Sequence, residues 1–398
     1  MKISIITPTH DPRYLPELER SILDNDFTEW EWIILLNNGA QYTTTDTRIK
    51  IVPCPFVSDY VGALKNFACS LATGDILLEA DHDDQLTPDC LSSVAEAFTD
   101  PEIGFVYSDC AHLGQFTPYS QYWGWKSYKY EWKGEQLTAM RSQPLFPGRL
   151  CNIGFAPDHV RAWRRSVYNE VGGHNPELPV CDDQDLTCRM FMVTKFKYIP
   201  RVLYIYQESE DQTFRQRQKQ IEDLNWTIYD QYIHRVASRW AENNNLLKID
   251  LCQTHEKKTL GYVAMNRYNS DIITNFESGF PIPRNSVGVI LARDALCKFR
   301  GQMKIMSEIH RVLAPGGILL SATPSTDGRG AWQSPANLSF WNENSFWYYT
   351  REKQMLEIDN PMVHFRECRL TTRYPDDQHE LTNQPYAIAH LEKIPAIL

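Results

Sequence analysis

With 398 residues, 42% of them hydrophobic and 12% aromatic, the chain has material for two packed domains rather than one. A formal charge of -10 argues against the basic face that a nucleic-acid partner requires. No apolar run approaches the roughly 20 residues of a membrane-spanning helix, so no membrane span is expected.

The β-branched run Ile3–Ile6 reads as a first buried strand that ends near Pro8, an apolar stretch too short for a signal peptide. Tyr14–Asp24 has helical spacing, Trp32–Leu36 is a second strand and Tyr60–Ala72 a second helix. Ile76–Glu79 and Phe105–Tyr107 are further strands. Strands alternating with helices predict an α/β fold with a mostly parallel sheet, and ligands of such sheets bind beyond the carboxyl ends of the strands. Ile221, Leu224, Ile228, Tyr232, Val236 and Trp240 then form the apolar stripe of an amphipathic helix. After the polar run at 241–245, Lys248–Cys252, Gly261–Met265, Val287–Ala292 and Gly317–Ala322 read as strands of a second α/β unit. The expected organisation is residues 1–215 as one domain, 216–246 as a connecting helix and 247–398 as a second domain. The ten cysteines are scattered, with no Cys-x-x-Cys pair, as in a reduced, cytoplasmic protein.

Two acidic clusters carry the chemistry. Glu79-Ala80-Asp81-His82-Asp83-Asp84 directly follows a strand, and its aspartates repel one another unless a cation sits among them. Oxygen ligands beside a substrate phosphate suit Mg²⁺ or Mn²⁺; an acidic surface turn is the plainer alternative. Asp182-Asp183-Gln184-Asp185 comes after the Gly172-Gly173 turn. Neighbouring carboxylates push one another's pKa upward, which suits a general base; an acid-rich helix start, favoured by the helix dipole, is the alternative. Between the clusters lie Phe116, Tyr119, Tyr122, Trp123, Trp125, Tyr128, Tyr130 and Trp132, either rings that stack on a saccharide acceptor or rings packed beneath a long loop. His159 and Arg161 are candidates for the same acceptor, with a structural role the alternative for His159.

The order of short motifs is more specific than any one of them. Thr7-Pro8-Thr9, Asn37-Asn38-Gly39-Ala40, Gly62-Ala63-Leu64-Lys65-Asn66, Ala72-Thr73-Gly74-Asp75-Ile76, the Asp81–Asp84 cluster, Tyr107-Ser108-Asp109 and the Asp182–Asp185 cluster follow one another along the chain. This series resembles the family 2 inverting glycosyltransferases of the GT-A fold, over about residues 1–215. The resemblance implies a Rossmann-like nucleotide-diphospho-sugar transferase that takes a nucleotide-sugar donor, UDP-linked by preference, and a glycan or other hydroxyl acceptor. It assigns Pro8 and Thr9 to the nucleotide pocket and Lys65 to the neighbourhood of the diphosphate. Asn38 stands where an Asp usually reads the uracil edge, and Asp81 near the donor sugar or ribose. Asp83 becomes the ligand of Mn²⁺ or Mg²⁺ and Asp183 the general base, while Trp123, Trp125, His159 and Asp182 are candidate acceptor contacts. One departure is visible: Tyr206-Gln207-Glu208-Ser209-Glu210 lacks the His that such enzymes often carry there.

In the second half, Arg311-Val312-Leu313-Ala314-Pro315-Gly316-Gly317, with Phe340-Trp341-Asn342-Glu343 further on, resembles class I S-adenosylmethionine-dependent methyltransferases. That family needs bare, glycine-rich backbone after its first strand. Here the turn is Gln253-Thr254-His255, and Asn266 stands in place of the acid that would hold the cofactor's ribose. A degenerate domain without methyl transfer is expected. The rival readings are a bifunctional enzyme that glycosylates and then methylates a glycan, and a non-catalytic sugar-binding or scaffold protein.

Overall fold

The computed structural model describes the chain except residues 121–123, 155–156, 210–212, 252–258, 267–269, 275–278, 359–362 and 395–398. It separates into two compact units, one made of Met1–Leu145 and Arg149–Tyr232, the other of Phe146–Gly148 and Ile233–Leu398.

The first unit is built on a ten-stranded sheet. Its strands are β1 (Ile3–Thr9), β2 (Trp30–Leu36), β3 (Ile49–Pro53), β4 (Ile76–Glu79), β5 (Gln85–Leu86), β6 (Ile103–Leu113), β7 (Lys126–Trp132), β8 (Glu135–Arg141), β9 (Arg161–Arg164) and β10 (Lys195–Gln207). The main order is β3-β2-β1-β4-β9-β6-β10-β5, with β8 beside β6 and β7 beside β8. β1, β2, β3 and β4 are parallel, as the alternating pattern predicts. Ile3, Ile5, Ile33, Ile34, Leu77 and Leu78 are fully buried, as expected of parallel strands covered on both faces. The parallel order is broken by β9, which runs antiparallel to both β4 and β6 and lies between them. Helices α1 (Leu15–Leu23), α2 (Val61–Ser70), α3 (Cys90–Ala97) and α4 (Asp182–Phe191) belong to the same unit.

Two features position the site. Gly62 in α2 has no room for a side chain: a Cβ would collide with the Asn175 carbonyl, so only glycine lets α2 approach the loop that leads into α4. Asn66 then donates to the His174 carbonyl at 2.7 Å. The α4 start carries Asp182, Asp183 and Asp185 in its first turn, where unpaired backbone N–H groups and the dipole favour negative charge.

Helix α5 (Gln218–Asn243) contains the predicted stripe, buried at Ile221, Ile228, Tyr232, Val236 and Trp240. In the second unit a seven-stranded sheet has the order β13-β12-β11-β14-β15-β17-β16. These strands are β11 (Leu247–Asp250), β12 (Val263–Asn266), β13 (Ile272–Ile273), β14 (Val287–Arg293), β15 (Leu313–Pro324), β16 (Phe365–Arg373) and β17 (Tyr386–Lys393). β11 to β15 pair in parallel, whereas β17 is antiparallel to β15 and β16. Among the described residues no helix is long and apolar enough to cross a membrane.

Candidate active site

β4 delivers Glu79 to the sheet's carboxyl edge, and the antiparallel register sets Arg161 of β9 directly opposite it. The Arg161 side chain reaches three groups. Its Nη1 donates to Asp183 Oδ2 at 2.5 Å, its Nη2 meets His159 Nε2 at 2.6 Å, and its Nε lies 3.4 Å from Glu79 Oε2. Lys65, from α2, is ion-paired with Glu79 and lies 4.0 Å from Asp182 Oδ2. His159 Nε2 is 3.8 Å from Asp81 Oδ2, and the His159 ring stacks on Tyr204 at 4.7 Å between centroids. His174 Nε2 lies 3.6 Å from Asp182.

The cluster is short of positive charge. Glu79, Asp81, Asp182 and Asp183 face two permanent cations, Lys65 and Arg161. Burial pushes His174 down to about 3, so it stays neutral and adds no charge at pH 7. The acids respond differently to this environment. Arg161 and Lys65 hold Glu79 well below the usual carboxylate range, against the cost of its burial. Asp183 is likewise lowered: burial opposes ionisation, but Arg161 and then Lys65 outweigh it. Asp182 goes the other way, pushed up to about 7 because burial, Asp183 and Glu79 together outweigh Lys65. The expectation that crowding raises the pKa of the second cluster therefore holds for Asp182 and is corrected for Asp183, whose guanidinium partner comes from a strand distant in sequence.

Glu79, Asp81 and His159 can each offer one ligand atom, all within 4.8 Å of one another. Glu79 Oε2 and Asp182 Oδ2 are buried without a hydrogen bond. Two carboxylates and an imidazole, next to surplus negative charge, fit a divalent cation such as Mn²⁺. Asp83 lies outside this trio; burial and the Asp81 charge raise its pKa, so it too gains from a cation between them. Asp84 turns inward instead, with Oδ1 accepting from the Gln207 N–H at 2.7 Å.

The remaining expected residues separate. Asn38, at a positive φ of 53°, helps line a cavity of about 720 Å³ at the carboxyl ends of β2 and β3, together with Leu36, Gly39, Tyr42, Pro53 and Phe56. Thr9 is buried at the end of β1 beside Pro8, and its Oγ1 exchanges hydrogen bonds with the Asp11 backbone. Lys65, expected near the diphosphate, has its ammonium ion-paired with Glu79. Trp125 is 6% exposed and packs on Tyr119 at 5.0 Å, which leaves no open ring face for a sugar. His159, 6% exposed, faces Arg161 and Asp81 rather than an open acceptor surface. Trp123, Tyr122 and the Gln253-Thr254-His255 turn lie outside the described residues. Asp109, from the Tyr107–Asp109 motif, is a buried structural acid that accepts from Ser142 N–H, Tyr128 and Tyr198. Glu79 and Arg161 were both visible in the sequence, one in the acidic cluster and one as an acceptor candidate, but their pairing was not, because it depends on β9 lying beside β4.

Comparison with known proteins finds one family model in each half of the chain. Residues 4–172 match the glycosyl transferase family 2 model, and residues 234–321 match that of a methyltransferase domain. The chain thus joins a domain similar to each, a GT-A-type α/β domain followed by a methyltransferase-like one. No curated protein matches it. Among solved structures, S. aureus TarS is 17% identical with a TM-score of 0.43, over 62% of this chain and 43% of its own. TarS 1-349 in complex with UDP-GlcNAc is 18% identical with a TM-score of 0.44, over 62% and 72%. The mannosyltransferase PcManGT from Pyrobaculum calidifontis, in complex with GDP-Man and Mn²⁺, is 15% identical with a TM-score of 0.40, over 57% and 62%. The matched part spans less than half the length of the first of these.

Proposed function

We propose that the first domain transfers a sugar from a nucleoside-diphosphate sugar, UDP-linked by preference, to a hydroxyl of a glycan or other acceptor, with inversion at the anomeric carbon. The observation that carries this reading is the Glu79–Asp81–His159 group at the carboxyl edge of the sheet, inside the segment that matches family 2. Asp81 and Asp83, with His159 and Glu79 beside them, would hold a divalent cation, which supplies charge neutralisation for the departing diphosphate. Asp183 takes the proton of the acceptor hydroxyl. Its side chain is 19% exposed against 4% for Asp182, so a substrate can reach it. Its lowered pKa keeps it ionised, able to accept a proton, at neutral pH. The base of the nucleotide would enter the cavity beside Asn38.

A screen of nucleotide sugars for release of nucleoside diphosphate, with Mn²⁺ or Mg²⁺ and then with EDTA, tests the reading. Release is expected for one donor class, lost in EDTA and in Asp83→Ala. Full turnover in EDTA would remove the metal from the mechanism, and a chain that binds sugars but turns over none would favour the non-catalytic reading.

For the second domain we propose no methyl transfer. Asp250 at the end of β11 already accepts the Thr259 N–H at 2.9 Å, and Asn266, buried at the end of β12, cannot replace a ribose-holding acid. Calorimetric titration with S-adenosylmethionine should show no binding; a micromolar complex would restore the bifunctional reading.

A further inference from the structure

We infer that Arg161 is a positioning residue for the sugar-transfer step, orienting the Asp183 carboxylate through a direct guanidinium contact. This rests on the proposed role of Asp183 as base.

Three observations carry it. Asp183 Oδ2 accepts from Arg161 at 2.5 Å, while its Oδ1 accepts from the Gln184 N–H at 2.8 Å, so both oxygens are held and the carboxylate plane is set. Arg161 is itself fixed: it is 7% exposed, stands on a β-strand between two others, and packs its remaining nitrogens against His159 and Glu79. Finally, the contact joins two separate elements of the fold, the β9 strand and the first turn of α4. A carboxylate at a helix start can rotate about its side-chain bonds. Held at two points by groups on separate rigid elements, it presents one geometry to an incoming hydroxyl. Lys shares the charge of Arg but lacks its planar fork, so it cannot reproduce contacts to Asp183, His159 and Glu79 at once.

The test uses the full chain and the donor selected by the nucleotide-sugar screen. In Arg161→Lys, kcat should fall about 100-fold, the effect of roughly 1 Å misplacement of a reacting group, while donor KM stays within about twofold. Arg161→Gln, which also removes the charge, should fall further, so that Lys partly rescues it. In the double variant with Asp183→Asn, the Arg161→Lys loss should largely vanish, because the base it orients is gone. Far-ultraviolet circular dichroism and Tm confirm that each variant is folded; if the Lys variant does not fold, the same cycle is run with Arg161→Gln. Multiplicative losses in the double variant, or a loss expressed in donor KM, would overturn the positioning role. If Asp183→Asn alone turns over normally, the assignment of the base fails instead, and the two failures are distinct.

Discussion

Each of the two sheets sets an arginine opposite a glutamate across an antiparallel strand pair, Arg161 against Glu79 in one and Arg366 against Glu392 in the other. In the seven-stranded sheet the two side chains of the pair meet directly, with Arg366 Nη1 3.0 Å from Glu392 Oε1. In the ten-stranded sheet it is opened: Arg161 Nε stays 3.4 Å from Glu79, and the shortest contact goes to Asp183. The acids register the difference. One cation does not offset the burial of Glu392, which is pushed up to about 8, whereas Arg161 and Lys65 together keep Glu79 ionised. Burying an ion pair costs about as much as it returns, so a closed pair is ordinary structure. A cluster with more acids than cations is costly in itself and is kept where binding a cation or moving a proton repays it.

Losing the proton acceptor should give the largest effect and most directly test whether the opened cluster is chemical. Asp183→Asn should retain fold and donor affinity but lose about 10²- to 10⁴-fold in kcat, the usual weight of general base catalysis. Steady-state release of nucleoside diphosphate reads this, and a near-normal kcat would make Asp182 or Asp185 the next residue to test.

The closed pair should answer in stability instead. Arg366→Met leaves the buried Glu392, pushed up to about 8, without its hydrogen-bond partner and should cost about 1–3 kcal/mol in urea unfolding at pH 7. Turnover per folded molecule should stay at the wild-type value. A fall in turnover without a fall in stability would make the two pairs functionally alike and end the contrast.

The smallest effect concerns Asp182 and pH. Its folded-state pKa of about 7 lies above the ordinary aspartate value of 3.8, so the folded chain holds this proton more tightly than the unfolded one. Its contribution to stability is therefore complete below about pH 4 and lost as pH rises through 7. Asp182→Asn, neutral throughout, should melt higher than wild type at pH 8, with the gap closing toward pH 4. Parallel Tm curves would mean that Lys65 compensates the charge fully and that the surplus is smaller than the geometry indicates.

Much of this was legible beforehand. Apolar runs such as Ile3–Ile6 and Ile76–Leu78, the stripe from Ile221 to Trp240, and the acids after β4 and at the start of α4 are local patterns, and local patterns set strands, helices and the polar residues at their ends. The order of those patterns along the chain also sufficed for the two domain types. What the linear order could not contain is which distant side chains meet. The antiparallel insertion of β9 brings Arg161 to Glu79 and Asp183, and the missing side chain of Gly62 lets α2 bring Lys65 in as their counter-ion. The same packing buries Trp125, separates Asp83 from the Glu79–Asp81–His159 trio, and gives adjacent Asp182 and Asp183 opposite pKa shifts. Charge interactions depend on distance through space and on burial, and both are properties of the folded chain alone.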